Sequence, residues 1–168
     1  LYTRDLIFKY DGQEFDKIFK ISDREEGVDS YGSIQTLIKV DERIFARVWG
    51  IGLFELVNDN FQFIENSELF SSNRIESMVS LDDNKIGIFS SKLGVVIFDG
   101  LNNFKLLNKK QVNKWLKEKL IYNVSEVKKL SDGKIPLISF EGGVLVLNKN
   151  LDVVDLIDQS DGLLSNTT

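Results

Sequence analysis

Hydrophobic and polar positions along this chain fall into short runs rather than long stripes. Stretches of Ile, Leu, Val and Phe alternate with clusters of Asp, Asn, Ser and Gly. That pattern predicts short strands joined by tight turns, because β-branched and aromatic side chains suit a pleated, half-buried surface. The order of runs is written three times. The first copy goes from Ile34 through Val40, Ile44, Gly52-Leu53-Phe54 and Phe61 to Asn73. The second goes from Ile75 through Leu81, Ile86, Gly94-Val95-Val96 and Phe104 to Asn123. The third goes from Val124 through Leu130, Ile135, Gly143-Val144-Leu145 and Val153 to Asn166. The anchor glycines Gly52, Gly94 and Gly143 stand 42 and 49 residues apart. A period in the low forties, built of short strands, marks the blades of a β-propeller.

Each copy reads as four strands. The first, apolar on both faces, spans Ile34 to Val40, Ile75 to Leu81 and Val124 to Leu130. The turn after it is Asp41-Glu42, Asp82-Asp83-Asn84 or Ser131-Asp132-Gly133, residues that accept the bends a hairpin needs. The second strand is Arg43 to Trp49, Lys85 to Ser90 and Lys134 to Phe140; the third is Leu53 to Val57, Val95 to Asp99 and Val144 to Asn148. Asn58-Asp59-Asn60, Gly100-Leu101-Asn102 or Asn148-Lys149-Asn150 then turns the chain into the fourth, Phe61 to Glu65, Phe104 to Leu107 and Asp152 to Ile157. The head of the chain, Leu6 to Tyr10, Asp11-Gly12-Gln13 and Glu14 to Phe19, matches the last two strands of a preceding blade.

The expected architecture is an all-β fold: one partial propeller domain of about three and a half four-stranded blades, fourteen strands in all. Its parts are 1–33 (two strands and a linker), blade 34–73, blade 75–123 and blade 124–166. Unpaired strand edges on such an arc would invite self-association. The longer interval comes from an insertion, Lys109 to Leu120, which sets Val112, Trp115, Leu116 and Leu120 at helical spacing with lysines on the other face. It predicts one amphipathic helix of about three turns, capping a blade edge or binding a partner.

Composition narrows the chemistry. Of the 168 residues, 21 are Lys or Arg and 26 are Asp or Glu, a net charge of −5 that argues against nucleic-acid and anionic-membrane partners. There is no cysteine and no histidine, so disulfides, thiolate or imidazole metal sites and histidine-based catalysis are excluded. No stretch approaches the roughly 18 apolar residues that span a bilayer. The chain opens at Leu1-Tyr2 without methionine and ends where a fourth copy would begin, so an excerpt of a longer protein is expected.

The linker closing each copy carries a resemblance. It reads Asp161-Gly162-Leu163-Leu164-Ser165-Asn166 at its clearest, with echoes at Glu68 to Asn73 and Glu118 to Asn123. Followed by an apolar strand, an acidic turn and a Gly-Leu-x-x-Phe/Leu strand, this resembles the two-component regulator propeller repeat, over Leu6 to Asn166. The repeat's usual Leu-Trp-Ile-Gly-Thr second strand departs here. Phe45, Gly87 and Pro136 take the tryptophan position, and the glycine-threonine pair is read as Arg47-Val48, Ile88-Phe89 and Leu137-Ile138. The resemblance implies a periplasmic or extracellular sensor region of a hybrid two-component system, chiefly in Bacteroidetes. It also implies a glycan-derived ligand, and a kinase in a downstream module beyond this chain.

In a propeller, the loops joining strands two and three share a face with the linkers between blades. The candidate ligand face is therefore Trp49-Gly50-Ile51, Ser90-Ser91-Lys92 and Phe140-Glu141-Gly142. An aromatic face with planar polar groups suits a sugar ring, which presents both C–H and hydroxyl groups. Arg47, Trp49, Lys92, Phe140 and Glu141 are the candidate ligand-binding residues; the bland alternative is that the aromatics pack between blades and the charges are solvated. Asp82-Asp83-Asn84 and Asn58-Asp59-Asn60 resemble oxygen-rich calcium loops but lack the glycine and distal glutamate of an EF-hand. Asp23, Glu25 and Glu26 lie on a polar linker with nothing to desolvate a catalytic carboxylate. No cofactor, metal or catalytic residue is expected. A non-catalytic sensor scaffold is the leading reading. The alternatives are a propeller used only for protein–protein contacts at the cell surface and a fragment of a propeller hydrolase or lyase.

Overall fold

A computed structural model of the chain describes residues 1–21, 32–119, 127, 129–139 and 142–163. It divides into two compact units, Leu1–Ser72 and Asn73–Thr168. The chain is an all-β propeller fragment, and its described residues form four antiparallel sheets and one α-helix.

The first unit opens with a hairpin of β1 (Leu6–Tyr10) and β2 (Phe15–Lys20). A four-stranded meander follows in sequence order: β3 (Ser33–Val40), β4 (Arg43–Trp49), β5 (Gly52–Val57) and β6 (Asn60–Phe63). The β5–β6 turn places Asn58 (φ 51°) and Asp59 (φ 60°) in the left-handed region. Two positive φ angles in succession match the twist of the flanking strands, and Asn and Asp tolerate them at low cost. Ile7, Ile34, Ala46, Val48, Phe54 and Phe61 form the core of the unit. Phe19 closes it, its ring 5.3 Å from that of Phe54 and 5.5 Å from that of Phe61. Two backbone bonds fasten the hairpin's approaches to each other and to the meander: Ile21 N–H donates to the Asp5 carbonyl at 3.1 Å and Ile34 N–H to that of Arg4 at 2.7 Å.

The second unit holds another four-stranded meander: β7 (Ser77–Ser80), β8 (Ile86–Ser90), β9 (Gly94–Phe98) and β10 (Phe104–Leu107). Then come α1 (Lys110–Lys119) and a sheet of β11 (Ile135–Ser139), β12 (Gly143–Leu147) and β13 (Val153–Ile157). Every residue of β8 is buried, as befits a middle strand covered on both faces. Val112, Trp115 and Leu116 of α1 join Phe89, Val95, Ile135, Leu137, Leu145 and Leu147 in one core. The inserted helix is thus a core element: its apolar stripe is buried and its lysine face is not.

Thirteen strands are found among the described residues, where the sequence pattern predicts fourteen. The remaining one, Val124 to Leu130, falls mostly on residues outside those described, as does Leu120 at the end of the predicted helix. The ladders also correct the alignment of the copies. Val48 pairs with Gly52, Ser90 with Gly94 and Ser139 with Gly143. The residues matching the repeat's glycine-threonine pair are therefore Arg47-Val48, Phe89-Ser90 and Ile138-Ser139, one position later in the second and third copies than the sequence suggests. The pairing with the anchor glycine sets this register, and apolar runs with no polar marker hide it.

Candidate functional site

Each meander closes on its anchor glycine. In the first unit the chain after β6 forms a short 3₁₀ turn, Ser67–Phe70. The buried Ser67 hydroxyl accepts from Leu53 N–H at 2.9 Å and donates to the Leu53 carbonyl at 3.2 Å. Gly52, with φ 147°, leaves room for this: a Cβ there would lie 2.8 Å from the Ser67 oxygen. In the second unit α1 takes over the role. Asn113 Oδ1 accepts from Val95 N–H at 3.0 Å and its Nδ2 donates to the Leu107 carbonyl at 3.1 Å. Gly94 has φ 78°, and a Cβ there would come within 2.5 Å of Asn113. One polar side chain from the following segment thus fastens strand three in both units. Neither Ser67 nor Asn113 stood out in the sequence, because their contacts span 14 and 18 residues and no local pattern encodes them.

The loop joining β4 and β5 carries the first candidate site residues. Trp49 is 45% exposed, while Arg47 is only 2% exposed. The Arg47 guanidinium donates through Nε to the Phe70 carbonyl at 3.0 Å and through Nη2 to that of Ser71 at 3.3 Å. Its Cζ also sits 5.0 Å from the centroid of the Trp49 ring. Gly50 N–H donates to the Ser71 carbonyl at 2.9 Å, tying the loop to the linker. Arg47 therefore stands behind the indole, committed to backbone carbonyls, rather than on the surface. A planar guanidinium fits this task because its fork meets two carbonyls while its face stacks on an aromatic ring.

In the second unit, the register makes Ser91 the counterpart of Trp49. Lys92 beside it is exposed. The loop is shaped by Ser90, fully buried, whose hydroxyl accepts from Leu93 N–H at 3.4 Å. Ser139, also buried, accepts in the same way from Gly142 N–H at 3.1 Å. Beneath the Ser91 loop lies a carboxylate the sequence did not flag. The Glu76 side chain is 3% exposed; its Oε1 accepts from the Ser91 hydroxyl at 2.8 Å. Its Oε2 lies 3.1 Å from Arg74 Nε, an ion pair without hydrogen-bond alignment. Of the five candidate residues, the structure brings Arg47 and Trp49 together and shows Lys92 on the second unit. Phe140 and Glu141 lie outside the described residues, as do Asp23, Glu25 and Glu26.

The acidic turns serve the backbone. Asp83 (φ 61°) and Asn84 (φ 59°) repeat the two-residue geometry of Asn58-Asp59. Asp59 pairs with Lys9 at 2.6 Å, and Asp82 with Lys129 at 3.1 Å. Among the described residues no group of three acidic, cysteine or histidine side chains could hold a metal ion. Asp99 is held below the usual carboxylate range by the Asn103 amide and the Leu101 and Asn103 N–H groups. Asp11 is held down by the N–H groups of Glu14 and Gln13, and Asp152 by Lys109. The Lys109–Asp152 pair, at 2.7 Å, occupies a cleft of about 300 Å³ between the start of α1 and the β12–β13 turn.

The loop thus presents an exposed indole backed by a buried guanidinium. No family model matches the chain, and no curated protein does. Solved structures do resemble it. One is the extracellular domain of a hybrid two-component system from B. thetaiotaomicron, with TM-score 0.58 and 18% identity, covering 99% of this chain and 24% of that one. Another is the extracellular domain of a second such system from the same organism, with TM-score 0.55 and 13% identity, covering 92% of this chain and 20% of that one. The chain therefore spans about a quarter of the length of the structures it resembles, and what it shares with them is the fold. No helix among the described residues is long and apolar enough to cross a membrane.

Proposed function

We propose that this chain is a non-catalytic part of the extracellular sensor propeller of a hybrid two-component signalling protein, with its Trp49 loop helping to recognise a glycan-derived ligand. One observation carries the reading. The exposed Trp49 indole is backed by a buried guanidinium that is itself fixed by two carbonyls. An aromatic plate held this way meets a sugar's C–H face with little entropy left to lose. The fold likeness to extracellular domains of hybrid two-component systems supports the setting. Lys92, Phe140 and Glu141 are the further residues proposed for polar and aromatic ligand contacts. Signalling would follow from unequal affinity of the ligand for two arrangements of the receptor, with kinase chemistry in a module outside this chain.

Titration of the complete extracellular region with a panel of oligosaccharides tests this. The expected result is binding of one glycan class, weakened on the order of tenfold by Trp49→Ala, the scale of one lost aromatic contact. The urea midpoint should stay close to that of the parent. Failure of every glycan to bind, or equal affinity in the variant, would overturn the proposal. A second reading, contact with another protein or another copy, is favoured by Leu106 on β10 and Val154 and Leu156 on β13, which are 57%, 52% and 43% exposed on strands at sheet margins. Light scattering separates the two: a concentration-dependent dimer lost on Leu106→Lys or Leu156→Lys would support it.

A further inference from the structure

We infer that Glu76 is a positioning residue that makes Ser91 a hydrogen-bond acceptor toward the ligand, so that the group seated at Ser91 must bring a donor: a hydroxyl, an amide N–H or an ammonium. The inference rests on the reading of the loops between strands two and three as the ligand face, and it sets the polarity of one position there.

Chemistry fixes the direction of the bond. Glu76 Oε1 lies 2.8 Å from the Ser91 hydroxyl. A carboxylate accepts and has no proton to give, so Ser91 is the donor, and a hydroxyl has one proton. What the half-buried Ser91 has left to offer is lone pairs. An incoming carboxylate, sulfate, ether or carbonyl would set a second acceptor against them, whereas a donor would complete them. The position is also held from two sides. Ser90, fully buried, accepts from Leu93 N–H at 3.4 Å and shapes the backbone of the loop, while Glu76 holds the side chain. A group fixed before the ligand arrives loses little freedom on binding. Lys92 beside it is exposed and carries donors alone, so the loop offers an acceptor and a donor side by side.

The carboxylate is more than a turn requires. The Glu76 side chain is 3% exposed, and Oε2 makes no hydrogen bond among the described residues, because Arg74 Nε at 3.1 Å is misaligned. A buried carboxylate with one bare oxygen costs stability, and folds keep such local violations where a side chain has to be aimed. In the first copy the matching residue is Gln35, which donates to Ser33 Oγ at 2.7 Å instead of reaching the loop. The Glu76–Ser91 link is therefore a property of this blade rather than of the repeat.

Three neutral probes separate the polarities: pyrrole, which donates through its N–H, furan, the same ring without that donor, and dimethyl sulfoxide, which accepts. Each is titrated into the isotope-labelled 168-residue chain while the amide resonances of Ser91, Lys92 and Leu93 are followed. Pyrrole should shift them, furan and dimethyl sulfoxide should not, and Ser91→Ala should abolish the pyrrole response. Glu76→Gln should reverse the preference. Its amide oxygen faces Arg74, its amide N–H donates to Ser91, and the Ser91 proton turns toward the ligand side, so dimethyl sulfoxide now shifts the amides and pyrrole does not. A side chain that merely braces the loop would weaken both responses alike. Equal responses to pyrrole and dimethyl sulfoxide in the parent, no response to any probe, a pyrrole response that survives Ser91→Ala, or an unreversed preference in Glu76→Gln would each overturn the inference. Should Glu76→Gln fail to fold, the parent and Ser91→Ala spectra still decide. Oligosaccharide titration judges the Trp49 loop and these probes judge Ser91, so the two readings fail separately.

Discussion

The fastening of α1 to β9 predicts a specific failure of additivity. Asn113→Ala removes an acceptor from Val95 N–H and a donor from the Leu107 carbonyl, both in a part-buried setting. Stranding such groups costs about 1–3 kcal/mol, partly offset by about 0.7 kcal/mol of better helix propensity for alanine. The net is about 1–2 kcal/mol. Gly94→Ala adds about 1 kcal/mol of strain at φ 78°. It also drives a Cβ to within 2.5 Å of the Asn113 amide, so that amide must leave and its two bonds go with it. The single variant should then cost about 2–4 kcal/mol, since residue 113 is still Asn and gains no helix propensity. In the double variant the amide is already gone and only the backbone strain is added, so the total should be about 2–3 kcal/mol, no more than the Gly94 variant alone, rather than the sum of the two. Urea unfolding measures this, followed by the emission of Trp115, buried on α1, in a Trp49→Phe background. If the two costs add to within about 0.5 kcal/mol, the amide is not what Gly94 makes room for, and the reasoning fails.

Ser67→Ala should destabilise the first unit by about 1–3 kcal/mol, because the buried Leu53 N–H loses its acceptor; hydrogen exchange at Leu53 should quicken accordingly. Arg47→Lys keeps the charge but not the fork, so about 1–3 kcal/mol of stability should go, and Trp49 emission should shift as its backing is lost. The carboxyls of Asp11, Asp99, Asp132 and Asp152 all lie below their ordinary value of 3.8 in the folded chain. A lowered folded pKa stabilises above the unfolded value, so their contribution should be complete at neutral pH and fade as pH falls below about 4. Urea midpoints across pH should show that decline, and Asp99→Asn should flatten part of it.

Strand identity was legible because turn chemistry and apolar runs agree. Asn58-Asp59-Asn60 and Asp82-Asp83-Asn84 announced turns, and within them Asn58, Asp59, Asp83 and Asn84 take positive φ angles. The helix was legible from the helical spacing of Val112, Trp115, Leu116 and Leu120 with lysines on the other face. Register was not, because Ile88, Phe89, Leu137 and Ile138 are interchangeable as apolar symbols until paired with Gly94 or Gly143. The candidate site divided along the same line. Trp49 was placed on the surface as its loop position implied, whereas Arg47, two residues earlier on the strand, points inward beneath it. Alternation along β4 does not settle this, since Phe45, Ala46, Arg47 and Val48 are all buried. Glu76, beneath the Ser91 of the candidate face, escaped notice for a different reason: its link to Ser91 spans 15 residues, and no local pattern encodes it.

The reach of that single returning side chain has an evolutionary corollary. Because Ser67 lies four residues past the end of β6 and Asn113 six past the end of β10, the short connection in between acts as cord, and its knot is what is fixed. Such a blade can acquire or shed whole helical turns in that stretch while its neighbours keep their places. Lengthening by one residue between the glycine and the next amide would instead untie it. Variation in this lineage should collect in the cord and spare the knot.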